Sequence, residues 1–332
     1  MDRAAPLGTL VRLGRAGLVG ALVVLASMPL AAEERYAVIV AGASGGAAYA
    51  EQFAAWTDAM RGVLVSRMQF EPSRVIVLGD RADEASAATA ANVRRVFRGL
   101  VPQLSARDLL FVALIGHGTF DGTDAKFNLV GPDLEAAEWG ALIAPIKGRL
   151  VFVNGAPASF PFLGRLAAPN RIIISSTDSA AQRFDTVFPE YFVGAFRDGV
   201  ADIDKNGRMS IWEAFAWAAA RVRRHYLQLG QLATERPLLD DDGDGVGREA
   251  GEDGSDGRLA MRTYLDVPTP DALPTDDVLV DLLHRRAALA DEAEELQLKR
   301  AFMPPGDYAR EFERVMLALA RVTREIRTRR GT

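Results

Sequence analysis

Short runs of apolar residues recur along the chain and alternate with longer stretches of helical periodicity. Continuous apolar runs of this kind are typical of strands that are buried on both faces of a parallel sheet. Strands that alternate with helices predict a three-layer α/β fold, in which helices flank a mostly parallel sheet. The runs that predict strands are residues 36–41, 74–78, 109–115, 150–153 and 171–175.

The pattern changes after residue 200, where acidic loops and a proline-containing stretch replace the strands. Two helical patterns close the chain, at 276–301 and 308–327, and the second carries one apolar stripe along its length. Because only residues 304–306 separate them, we expect an antiparallel helical hairpin that offers a surface for a protein partner. The predicted domains are 33–230 for the α/β domain, 231–274 for the acidic loop and linker, and 275–332 for the hairpin.

The first 32 residues have the pattern of an export signal. Arg3, Arg12 and Arg15 precede an apolar run at 16–26, and small residues lead up to Ala32. Since the run is too short to span a bilayer comfortably, we expect cleavage after Ala32 and a periplasmic or secreted protein without a stable membrane span. A retained N-terminal anchor is the alternative.

Composition and charge exclude some classes of function. The formal net charge of −5 argues against binding to nucleic acid, which requires clustered Lys and Arg. The chain contains no cysteine, so it has no disulfide framework and no acceptor for a lipid anchor on cysteine. With 49% apolar and 25% charged residues, the composition is typical of a folded protein.

Candidate chemistry lies where two of the predicted strands end. His117 follows the third apolar run and stands between two glycines, and the next run ends in Asn154-Gly155-Ala156. In open α/β sheets the functional groups lie on loops just past the carboxyl ends of the strands. The backbone N–H of Gly118 is placed to stabilise an oxyanion.

Over residues 36–226 the chain resembles the caspase, legumain and gingipain group of cysteine peptidases. In that group a His-Gly pair follows one strand and a catalytic cysteine follows the next. The resemblance places His117 and Gly118 at the first motif and Ala156 at the cysteine, and puts residues 175–178 near a specificity pocket. It implies a caspase-like fold and, since a methyl group cannot act as a nucleophile, a pseudopeptidase that binds a peptide or protein partner.

Two other interpretations remain open at this stage. Ser159 lies three residues after Ala156 and would make the protein an active hydrolase if His117 served as its base. The G-x-S-x-G motif of serine hydrolases is absent. His117 is otherwise a strand-end histidine without a catalytic role.

A calcium-binding loop of the EF-hand type is predicted at residues 202–213. Gly207 allows the sharp turn that such a loop requires, and the oxygens around it are the hard ligands that Ca²⁺ prefers. The alternative is an acidic turn that caps the following helix, and a third interpretation of the whole chain is a calcium-dependent structural module of the cell envelope. The predicted ligands are Asp202, Asp204, Asn206, Arg208 through its carbonyl, Ser210 and Glu213.

A second acidic loop begins at Asp240 and repeats the D-x-D-x-D-G start over 240–247. It has Gly251 where the closing glutamate would stand. A weak or irregular calcium loop and a solvated acidic loop are therefore both open.

Overall fold

The structure is a computed structural model that describes most of the chain after the predicted export signal. The signal itself, together with Asp204 and Asn206, lies outside the described residues. The described ranges are 33–80, 82–199, 201–203, 207–252, 254–267, 276–300 and 303–330.

A six-stranded sheet forms the centre of the protein, in the order β2-β1-β3-β7-β8-β9. All neighbouring strands are parallel except β8 and β9, which are antiparallel. Strands β4, β5 and β6 form a separate antiparallel sheet. In chain order the strands are β1 (Arg35–Ala41), β2 (Val75–Leu78), β3 (Leu109–Ile115), β4 (Gly118–Phe120), β5 (Ala125–Phe127), β6 (Leu134–Glu135), β7 (Arg149–Asn154), β8 (Arg171–Ser175) and β9 (Leu238–Asp240).

Helices cover both faces of the central sheet. The first of them, α1, continues as a π-helical turn over Val63–Arg67. The helices are α1 (Ala47–Gly62), α2 (Ala90–Leu100), α3 (Ala136–Ile143), α4 (Phe160–Leu166), α5 (Phe188–Asp198), α6 (Ile211–Gln228), α7 (Arg258–Met261), α8 (Asp277–Lys299) and α9 (Pro305–Arg330).

The apolar runs form strands because both of their faces are buried. Every residue of β3 is buried, and successive side chains point to opposite faces. Phe111 joins the core formed with α1, α5 and α6, whereas Val112 joins the core formed with α2, α3 and α4. These two cores confirm the predicted three-layer fold with a mostly parallel sheet.

The C-terminal helices α8 and α9 pack against each other as the predicted antiparallel hairpin. Arg329 near the end of α9 pairs with Asp276 at the start of α8, with Nη2 to Oδ1 at 3.1 Å. Leu283 and Ile326 belong to the same core as α6, so the hairpin is part of the folded body. Within the described part of the chain, every helix is too short or too polar to cross a bilayer.

One strand of the central sheet lies where the sequence predicted only an acidic loop and linker. Strand β9 falls within residues 231–274 and pairs with β8, as Leu239 opposite Ile174. The sequence did not reveal this strand, because its three residues lead directly into acids and form no apolar run. The small sheet and helices α3 and α4 were not predicted either.

Candidate functional site

The loops that carry His117 and Ala156 lie side by side at one edge of the central sheet. Strands β3 and β7 are parallel neighbours, with Leu114 opposite Asn154, so the segments that follow them meet at the same edge. A Cβ atom built on Gly118 would lie 3.3 Å from the Cβ of Ala156. The structure therefore brings the loop that carries His117 and Gly118 into contact with the loop that carries Ala156.

The turn at Ala156 is enclosed by protein. Its methyl group is fully buried, and Oδ1 of Asn154 accepts a hydrogen bond from its backbone N–H at 3.1 Å. The backbone N–H of Ala158, which has a positive φ of 52°, donates to the carbonyl of Gln182 at 2.8 Å. The hydroxyl of Thr186 donates to the carbonyl of Gly155. The segment around Gln182 thus packs over the turn and shields the position at which a nucleophile would stand.

His117 is fixed by contacts on both ring nitrogens. Nε2 lies 3.1 Å from the carbonyl oxygen of Ser44, which can only accept, so Nε2 carries a proton. Nδ1 lies 3.5 Å from Oδ1 of Asp185, and the Tyr49 hydroxyl donates to the other oxygen of the same carboxylate. The rings of Tyr49 and Phe53 contact the imidazole edge to face, at 4.7 and 5.1 Å between centroids.

Ser159 does not form a dyad with His117. Its side chain is fully buried, and Oγ accepts hydrogen bonds from the backbone N–H groups of Ser176, at 3.0 Å, and Thr177, at 3.2 Å. The hydroxyls of the same two residues lie 3.1 Å from it. Among the described residues, the nitrogens of His117 contact Ser44 and Asp185 instead. The alternative of a serine hydrolase therefore lacks its geometry.

The first acidic loop leads into α6 through a reciprocal cap. The backbone N–H and the hydroxyl of Ser210 donate to Oε2 of Glu213, at 3.0 and 2.8 Å, and the Glu213 N–H donates back to the Ser210 hydroxyl at 3.2 Å. Oε1 of Glu213 accepts from the N–H of Ile203 at 2.9 Å, and Oδ2 of Asp202 accepts from Gly207 at 2.8 Å. The helix-capping role is thus present at the residues predicted to bind calcium.

Arg208 anchors the same loop through its side chain. Its Nε lies 3.0 and 2.9 Å from the two carboxylate oxygens of Asp266, and its guanidinium lies 3.9 Å from the centroid of the Tyr264 ring. The Arg208 side chain is almost fully buried. It combines charge-assisted hydrogen bonds to Asp266 with a cation–π contact to Tyr264. The sequence predicted a role only for the carbonyl of this residue.

The second acidic loop gathers three carboxylates. One oxygen from each of Asp240, Asp242 and Asp244 lies within 4.8 Å of the others, a spacing that fits one shared metal ion. Asp240 is fully buried and accepts hydrogen bonds from Gly243, at 2.9 Å, and Gly245, at 2.6 Å. The repeat of the D-x-D-x-D-G start is therefore matched by a convergence of its side chains.

Two further buried acids, Asp241 and Asp256, accept backbone hydrogen bonds that hold this loop in place. Asp241 accepts hydrogen bonds from the N–H groups of Gly257, at 2.8 Å, and Ala260, at 2.7 Å, and Asp256 accepts from the N–H of Asp241 at 2.9 Å. Burial raises the pKa of Asp241 to about 6 and that of Asp256 to about 7. Nε of Arg248 lies 3.3 Å from Asp256. Sequence reasoning missed both acids as individuals, although they stand in the acidic stretch that it singled out.

Glu235 is a third buried acid that the sequence did not reveal. Its carboxylate accepts hydrogen bonds from the N–H of Val187, at 2.8 Å, and of Phe188, at 3.2 Å, where α5 begins. The Tyr226 hydroxyl donates to it at 3.2 Å. Burial, at 1% exposure, raises the pKa of this carboxyl to about 7.

Comparisons with known proteins show a weak likeness to a solved structure. No family model matches the chain, and no curated protein matches it significantly. The crystal structure of protein GSU0716 from Geobacter sulfurreducens is similar over 62% of this chain and 92% of its own. The two share 15% sequence identity, with a TM-score of 0.41.

Proposed function

We propose that the chain is an exported, non-catalytic relative of the caspase and legumain peptidases that acts by binding a protein or peptide partner. The observation that carries this proposal is the position of Ala156. Ala156 lies beside Gly118, in the loop next to that of His117. This is the position at which the caspase and legumain peptidases carry their thiol, and here it carries a methyl group. Without a lone pair at this position, no covalent intermediate can form.

The surroundings of Ala156 favour a partner that binds at the protein surface over a peptide that enters the enclosed turn at Ala156. The turn from Ala156 to Ala158 is buried, so a peptide would have to displace the segment around Gln182 to reach it. The imidazole of His117 is about a quarter exposed, and Asp185 beside it is more than half exposed. A partner that binds at the carboxyl ends of β3 and β7 therefore contacts mainly Asp185 and His117.

Peptide turnover and peptide binding, measured on the same pool, test the proposal. The mature protein is incubated with quenched fluorescent peptides and, separately, with an array of labelled peptides. We expect binding without cleavage, and we expect Ala156→Cys to react slowly with a bulky maleimide unless denaturant is present, because the site is enclosed. Cleavage by the unaltered protein would refute the proposal, as would the absence of any bound peptide.

We also propose that calcium stabilises the protein through the second acidic loop. The convergence of Asp240, Asp242 and Asp244 favours this role, since Ca²⁺ takes carboxylate and carbonyl oxygens in flexible geometry. Residues 202–213 would supply a second site of the same chemistry. An exported protein meets abundant calcium, so an affinity of roughly 10⁻⁴ to 10⁻³ M would suffice. Calorimetric titration with Ca²⁺, with Mg²⁺ as the control ion, tests this role directly.

A further inference from the structure

The two outer edges of the central sheet differ in how they are protected. Beyond β9, the backbone of Leu239 exchanges two hydrogen bonds with that of Arg248, both at 2.9 Å, so this edge is covered. At the opposite edge, β2 has β1 as its neighbour and a groove of about 610 Å³ on its other side. That volume lies within the range of about 300 to 1,000 Å³ in which small ligands are usually bound.

The backbone of β2 presents unused hydrogen-bonding groups to this groove. Just past β2, Gly79 donates its N–H to Ser86 and accepts at its carbonyl from Ala88, both at 2.9 Å, so both groups point to the outer side. Because backbone groups alternate along a strand, the N–H and carbonyl of Val77 point to the same side. Within the described part of the chain, no segment pairs with Val77 there.

The charged side chains that line the groove are basic, and the groove has space for a ligand. Arg74 and Arg95 line it, and none of the described residues that line it carries a carboxylate. Arg74 pairs with Glu34 at 2.6 Å, whereas Arg95 contacts the neutral oxygens of Ala85, at 2.6 Å, and Asn92, at 3.3 Å. Gly99 of α2 also lines the groove, and a Cβ atom there would meet open space.

We propose that this groove binds an extended acidic peptide, which adds to the sheet as a strand beside β2. The backbone of Val77 bonds the backbone of the peptide, and Arg95 pairs with a carboxylate near one of its ends. Arg74 adds a second, partly neutralised positive charge. This groove does not include His117, Ala156 or Asp185, so the inference goes beyond the proposed function and does not depend on it.

Fluorescence anisotropy with a defined probe tests the proposal. The probe is a labelled octapeptide of alternating threonine and valine with a glutamate at each end; one control peptide has lysine at each end, and another is methylated at every backbone nitrogen. We expect saturable binding of the acidic probe below about 1 mM and much weaker binding of both controls. Equal binding of either control, or no binding of the acidic probe, would overturn the proposal.

Three variants locate the site. Arg95→Glu should weaken binding of the acidic probe about tenfold, whereas Arg98→Glu, at another exposed position of the same helix that does not line the groove, should leave it within about twofold. Gly99→Phe should fill the groove and block binding without disturbing the core. Unchanged affinity in both groove variants would refute the site. Calcium titration and peptide turnover of the same samples report on the proposed function separately.

Discussion

Gly118 lies so close to Pro157 that a Cβ atom at Gly118 would stand 2.2 Å from the carbonyl oxygen of Pro157. This contact joins the two loops of the candidate site, and a side chain at this position cannot fit unless the backbone moves. We therefore expect Gly118→Ala to lower the free energy of unfolding by about 2–3 kcal/mol. Chemical denaturation measures this change.

A matched glycine provides the control for this prediction. Gly62 lies at the end of α1 and has open space where a Cβ atom would stand. Gly62→Ala should be neutral or stabilise the protein by up to about 1 kcal/mol. Equal effects of the two substitutions would contradict the close approach at Gly118.

Removal of one carboxylate from the second acidic loop should abolish its calcium response. We expect Asp242→Asn to melt at the same temperature as the unaltered protein in EDTA, or slightly lower, because the Asp242 carboxylate accepts hydrogen bonds from the Ser255 hydroxyl and the Asp244 N–H that an amide keeps only in part. With Ca²⁺ at about 100 times its dissociation constant, the unaltered protein should gain about 2.7 kcal/mol and the variant much less. Asp58→Asn, at an exposed position on α1, is the control. A full calcium response in Asp242→Asn would exclude this loop as the site.

Glu213 should matter even without calcium, because it caps α6. Glu213→Gln replaces one of the two oxygens that accept three hydrogen bonds by an NH₂ group that can only donate, and we expect a loss of about 1–2 kcal/mol in EDTA. Exposed Glu51→Gln should change stability by less than about 0.5 kcal/mol. A loss that grows when calcium is added would show that Glu213 also binds the ion, whereas an equal loss in EDTA and calcium would restrict it to the cap.

Glu235 predicts how stability depends on pH. Burial raises the pKa of its carboxyl from 4.5 to about 7 on folding. Between these two pH values the native state keeps a proton that the unfolded state has lost. Its contribution to stability is therefore fully present below about pH 4.5 and is lost as the pH rises towards 7 and above, by about 3 kcal/mol in all. Urea denaturation between pH 4 and 8 measures this loss. In Glu235→Gln the fall should be smaller, and an unchanged pH profile would contradict the role of this carboxyl.

The sequence predicted the features that depend on long apolar runs. The strands of the central sheet from β1 to β8 were predicted because each is a continuous apolar run, and the adjacency of His117 and Ala156 followed from two parallel strands. Strand β9 was missed because its three residues lead directly into acids. The burial of Ser159 depends on Ser176 and Thr177, which are brought close only by folding. The raised pKa of Glu235 likewise arises from packing against α5.

Strand β9 has a consequence for where the protein can be cut. Asp240 is both the last residue of this strand, opposite Ile173, and a member of the carboxylate triad. A fragment that ends at residue 230, as the apolar pattern suggests, would expose the edge of β8, whose central residues are three isoleucines. Uncovered edges of this kind recruit other strands, so such a fragment should aggregate. The acidic segment therefore covers this edge of the sheet as well as offering a place for an ion.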